Sequence, residues 1–250
     1  MGRTWVVLWV LLAGGCQNVF GISEVGEGDA SGAASGIAFR NQWSALTALG
    51  TVPTALVTFD EPPLDGDLIV VLVAWWHNTP TMVTDNTGQN RYVMLPTTAL
   101  SGGGSNLWIY YAYDIVSAPQ FAITVVSTPS GNDELAVVAH DYSGVGPAGG
   151  VDGQVDADGD PGAMPVVSDC KPITATQADV MVTGLTRDFN GSPAVSDGWH
   201  LRTSLNSPHD SFMVLATADR IAGPETAEPI WTSDRTTGGY SWACLTAAFR

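Results

Sequence analysis

Three aspartates alternate at Asp156, Asp158 and Asp160 within residues 152–162, DGQVDADGDPG. Hard carboxylate oxygens at alternate positions of a flexible loop suit Ca²⁺. Pro161 stands where a calcium loop of that spacing needs glycine, and Val167 where it needs a bidentate Glu. A complete loop site of that kind is therefore excluded. Two readings remain, a weak Ca²⁺ site on the three aspartates or an acidic linker, and no other cofactor is expected. The aromatic residues are the second candidate. Trp75 and Trp76 are adjacent, so in a strand they point to opposite faces; Trp108 and Tyr110 share one face, Tyr111 and Tyr113 the other. Each sheet of a two-sheet sandwich has one core face, so the surplus rings are expected outside. Trp76, Trp108 and Tyr110 then form a ligand platform of the kind that stacks on sugar rings, unless loops cover them.

No catalytic set is expected. Ser168 and Lys171 have the S-x-x-K spacing, but Pro172 follows at once and the segment reads as the entrance to a strand, not to the helix that such a pair needs. His77, His140, His200 and His209 show no metal-ligand spacing. His140 and Asp141 are neighbours in a strand, so their side chains diverge. Asp60, Glu61 and Glu134 become a glycosidase-like carboxylate pair only if the fold assembles them. There is no G-x-S-x-G, phosphate loop or dinucleotide fingerprint.

The elements that must position these residues are organised around residues 67–76, DLIVVLVAWW, apolar at odd and even positions alike. That is a central strand buried on both faces, introduced by the turn Pro62-Pro63-Leu64-Asp65-Gly66. Further strands are expected at 55–59, 81–84, 91–95, 106–114, 121–127 and 134–143, separated by turn residues, and no segment of comparable length has a helical period. The order then recurs. DLIVVLVAW aligns with DVMVTGLTR, Asp67 standing 112 residues before Asp179; Asp85 stands 112 before Asp197; Asp114 stands 105 before Asp219; Tyr142 stands 107 before Phe249. The pattern therefore occurs twice, over residues 54–143 and 172–249. Either each copy is a small sandwich or the two interleave in one; we expect an all-β, two-sheet antiparallel sandwich of jelly-roll type over residues 36–250 with the copies interleaved, which leaves fewer open sheet edges.

The chain has 250 residues with nine Lys and Arg against 25 Asp and Glu, a formal net charge of −16, and Lys171 is the only lysine. Such a surface repels phosphate backbones and excludes nucleic-acid binding and a polybasic membrane patch. Arg3 precedes the apolar run 5–12, WVVLWVLL, which is too short to span a bilayer and reads as a secretory signal over residues 1–15. Residues 16–35, rich in Gly, Ser and Ala, have the composition of a flexible tether.

Ala13-Gly14-Gly15-Cys16 resembles the bacterial lipoprotein signal, departing from it in having Ala13 where leucine is preferred. The resemblance implies cleavage before Cys16, acylation of that cysteine and a bilayer as partner, with Gln17 after it favouring the outer membrane. Cys170 and Cys244 then remain as an even pair in an oxidising compartment, as a disulfide or as two buried thiols. The strand pattern resembles the jelly-roll and concanavalin-like sandwiches of secreted bacterial proteins, a resemblance that carries no catalytic residue across. The expected function is an envelope-anchored binding module for a polysaccharide or an envelope protein. The alternatives are a glycan hydrolase or lyase on the same fold, and a purely structural envelope protein.

Overall fold

The computed structural model describes residues 36–47, 54–76, 80–96, 105–127, 134–146, 150–159, 167–188, 191–207, 214–234 and 241–250, all within one compact unit, Ser31–Arg250. The central run forms β3 (Leu68–Trp76), and its residues 68–75 are each at most 1% exposed, because both faces of the strand are covered. β3 lies in the middle of an antiparallel sheet whose order is β1 (Ala38–Leu46), β8 (Leu135–Ser143), β3, β6 (Ser105–Ala112) and β5 (Val93–Met94). The second half builds a sheet of the same order: β9 (Val151–Gly159), β18 (Trp242–Phe249), β12 (Asp179–Arg187), β15 (Val214–Ala222) and β14 (His200–Asn206).

These two inner sheets face each other as an all-β antiparallel sandwich. Leu68, Val70 and Leu72 of one meet Val180, Val182 and Leu245 of the other in a shared apolar layer. The outer face of each is covered in turn. β2 (Thr54–Thr58), β7 (Ala122–Ser127) and β4 (Pro80–Asp85) close a second core over Ile69, Val71, Val73 and Trp75. In the second half β10 (Val167–Asp169), β17 (Ile230–Ser233) and β13 (Pro193–Val195), with the ribbon of β11 (Ile173–Ala175) and β16 (Glu225–Ala227), close a third around Met181, Leu185 and Trp231.

The two halves build inner sheets of the same strand order and do not interleave as expected: each supplies its own inner sheet. Burying one whole sheet face against the other outweighs the saving in open edges. The edges are handled locally, by the two-residue β5 and by bulges in β1, β9 and β14. Register also corrects one alignment. Leu68 pairs with Tyr142 and Val180 with Phe249, so the 107-residue spacing of Tyr142 and Phe249 holds. Val70 pairs with Tyr111 and Val182 with Asp219, so Asp219 corresponds to Tyr111 and not to Asp114. β9 replaces the acidic loop or linker expected there. It has little strand propensity of its own and is held as an edge by pairing along β18.

Leu72 and Gly184 occupy equivalent positions, and they meet across the interface. A Cβ on Gly184 would lie 2.6 Å from the Leu72 side chain. One copy thus leaves empty the space that the other fills, where two leucines would collide. Gly184→Leu is expected to destabilise by about 3 kcal/mol through overpacking. Adding Leu72→Gly should recover part of that loss. Urea unfolding of the two single variants and the double variant measures the coupling, and strict additivity would refute the contact.

Candidate functional site

The chemistry-bearing residues that the fold gathers lie at one rim of the interface between the inner sheets. β8 turns His140 and Tyr142 toward the second sheet, and β15 turns Thr217 and Asp219 toward the first; all four are fully buried. Thr217 Oγ1 lies 2.9 Å from His140 Nε2, and His140 Nδ1 lies 2.9 Å from the Tyr142 hydroxyl. That hydroxyl donates to Asp219 Oδ2 at 2.8 Å, while Asp219 Oδ1 accepts from Arg202 Nε at 2.8 Å. Arg202 also lies over the Phe39 ring, 3.8 Å from its centroid.

The order of protons follows from the partners. Both Asp219 oxygens accept, so Tyr142 gives its one proton to Asp219 and must accept from His140 Nδ1–H. His140 Nε2 is then the bare nitrogen, and Thr217 donates to it. Burial first, and Arg202 second, depress the His140 pKa to about 3, so the ring is neutral at physiological pH. Burial, with Asp219 beside it, pushes the Tyr142 phenol well up, so it keeps its proton. A hydroxyl, a base and an acid that orients the base are thus set in series, the arrangement that activates an alcohol nucleophile.

The equivalent positions in the other copy are apolar. Ile109 corresponds to Thr217, Tyr111 to Asp219, Ala247 to His140 and Phe249 to Tyr142. There Tyr111, Tyr113 and Phe249 form an aromatic cluster, with ring centroids 5.4 to 6.5 Å apart. The polar series occupies one of two related places, so the duplicated architecture does not require it.

Three charged side chains reach buried acids from strand bulges. Arg40, in the β1 bulge, lies 3.5 Å from both Asp67 and Asp141; Arg202, in the β14 bulge, holds Asp219; Asp152, in the β9 bulge, meets Asp179 and Arg250. A bulge re-aims one side chain without shifting the register of the rest. Asp67 is a neighbour of Asp141, and Asp152 of Asp179, and like charges side by side disfavour two ionised carboxylates. Burial and then Asp67 push Asp141 up to about 8, against Arg40; burial and then Asp152 push Asp179 up to about 7, against Arg250. The Thr176 backbone N–H and hydroxyl hold Asp152 down.

Raised acids keep their protons in the folded chain after the unfolded chain has lost them, so their stabilising effect is lost as pH rises toward 7–8. His140 acts oppositely below about pH 6.5, where only the unfolded chain takes up its proton. Between pH 6.5 and 8 the acids act alone, and unfolding free energy should fall by about 1–2 kcal/mol. Urea midpoints across that range check it. Asp141→Asn should flatten the profile, and a midpoint that rises with pH contradicts the assignment.

The residues expected to do chemistry fall elsewhere. Trp108 and Tyr110 are each 6% exposed, turned into the core beneath the first outer sheet, so neither offers a face to a ligand; that sheet is the cover which a single sandwich would have lacked. The side chain of Trp76 lies outside the described residues, as do Cys16, His77, His209 and Asp160. Asp156 and Asp158 lie on β9, and no group of three metal-binding side chains occurs among the described residues. Ser168 is buried in β10, and Lys171 donates from Nζ to the Asp156 carbonyl, so the S-x-x-K spacing is incidental. Asp60 and Glu61 follow β2, while Glu134 precedes β8 beside the Trp75 end of β3. Cys170 and Cys244 form a disulfide. No protein-family model, no curated protein and no solved structure matches the chain.

Sequence reasoning missed Thr217, Asp219, Arg202 and Tyr142. The available signal was polar residues at core-facing positions of apolar strands, at i and i+2 in both AHDY (139–142) and ATAD (216–219).

Proposed function

We propose that this is an exported, lipid-anchored interaction module that contacts a protein of the cell envelope. The observation that carries the reading is the outer face of β2, β7 and β4. Leu56 is 59% and Met82 47% exposed there, and Val126 lies opposite Met82 and diagonal to Leu56. A flat face of aliphatic side chains flanked by Thr54, Thr58 and Thr124 suits a protein surface. Every tryptophan whose side chain is described is buried, so a sugar-stacking platform has no support among those residues. Catalysis has less. The nucleophile–base series is fully buried, out of reach of a substrate. Acylation of Cys16 belongs to the same reading.

A photo-crosslinking amino acid at position 56 or 82 of the full chain, in cells, should give one and the same protein adduct. Leu56→Glu, added to the chain that carries the crosslinker at position 82, should abolish it. Thr226, exposed on β16, should give none. No adduct at 56 or 82, or equal labelling at 226, overturns the reading. Cys16→Ser should move the chain to the soluble fraction; retention at the membrane overturns the anchor.

A further inference from the structure

The polar series at the interface has a sixth member beside the five joined by its hydrogen bonds. Gln42 of β1 is the register partner of His140 and turns to the same face. Its amide nitrogen donates to the Arg202 carbonyl, and the next residue, Thr203, is the register partner of Thr217. Its carbonyl oxygen is buried with no hydrogen-bond partner. The Gln42 carboxamide, half-buried with its oxygen shielded from water, thus stands on the face that carries the Thr217 hydroxyl and the bare imidazole nitrogen of His140. Gln42 belongs to the first copy of the duplicated pattern and Thr217 to the second.

We propose that Thr217 and Gln42 join in an intramolecular ester that staples the two inner sheets together. Thr217 Oγ1 attacks Gln42 Cδ as His140 Nε2 takes the hydroxyl proton. The Oγ1–Cδ bond forms, the bond from Cδ to the amide nitrogen breaks, and the ring proton passes to that nitrogen, which leaves as ammonia. No oxidant or second reactant enters. Passing the proton on within the step leaves no lasting charge on a buried ring. Burial also keeps water from the ester once ammonia has gone. His140 is the general base; Tyr142 and Asp219 are positioning residues that hold its tautomer. The inference stands independently of the proposed function.

Tryptic mapping of the purified full chain reads this out directly. Cleavage after arginine places Gln42 in peptide 41–91 and Thr217 in peptide 203–220. The two should appear as one species, lighter than their sum by one ammonia, and hydroxylamine should split it, as it splits an ester and not an amide. Thr217→Val and Gln42→Leu should each release the peptides. Tyr142→Phe should lower the linked fraction at least severalfold in freshly folded protein while leaving the fold intact by circular dichroism, an effect that a purely structural tyrosine would not have. Free peptides of unshifted mass from the wild-type chain overturn the proposal without reference to any variant. A linked species that resists hydroxylamine overturns the ester.

Discussion

Asp219→Ala should cost about 3–5 kcal/mol of stability, the range for removing one partner of a buried ion pair. Asp219 is fully buried and accepts three hydrogen bonds, two from Arg202 and one from Tyr142. Truncation leaves the Tyr142 hydroxyl without an acceptor and the guanidinium without its counter-charge. The Arg202 side chain is 16% exposed, so it can turn partly outward, which places the effect toward the lower end of the range. The expected loss comes from breaking the pair, not from the worth of the pair itself. Asp219→Leu combined with Arg202→Met should therefore recover part of the stability, because no guanidinium is left without its counter-charge, while the Tyr142 hydroxyl still lacks its acceptor. Urea unfolding of the wild type, the single and the double variant decides this. A loss under about 1 kcal/mol for Asp219→Ala would mean that water reaches the site and the network does not hold the sheets together.

Breaking the Cys170–Cys244 disulfide should have an effect of similar size. The bridge spans a sequence separation of 74 residues, for which the chain-entropy account gives roughly 4 kcal/mol. It ties the segment after β10 to β18 inside the third core, where both cysteines are at most 2% exposed. The paired substitution Cys170→Ala with Cys244→Ala should lower the melting temperature by roughly 8–16 °C for a domain of this size. The inter-sheet core is separate from this one and should respond little. An unchanged melting temperature would show that the unfolded chain is already restrained without the bridge. Mild reductant should leave the native protein untouched, since the sulfurs are buried, and should act only once unfolding begins.

Much of the architecture was legible because it rests on local patterns. Residues 67–76 are apolar at nearly every position, which only a strand covered on both sides can satisfy, and β3 is that strand. The duplication could be read from Asp67 with Asp179 and Tyr142 with Phe249, since a recurring order of strands leaves a recurring order of residue types. The even cysteine pair anticipated the disulfide. Strand alternation also said correctly that His140 and Asp141 diverge: one faces Thr217 and the other Asp67.

What the sequence could not decide depends on contacts between distant strands. Whether the copies interleave turns on which sheet faces bury each other, and no local pattern records that choice. The burial of Trp108 and Tyr110 follows from an outer sheet whose existence depends on the copies folding separately. β9 is a strand only because β18 offers it an edge. The buried series is the clearest case. Gln42, His140, Tyr142, Arg202, Thr217 and Asp219 lie on four strands from both copies, and two bulges and one packed interface bring them within hydrogen-bonding reach. Sequence determined the strands and the sides that their residues face; tertiary packing alone decided which polar groups meet, because side chains far apart in the chain become neighbours only when the sheets close on one another.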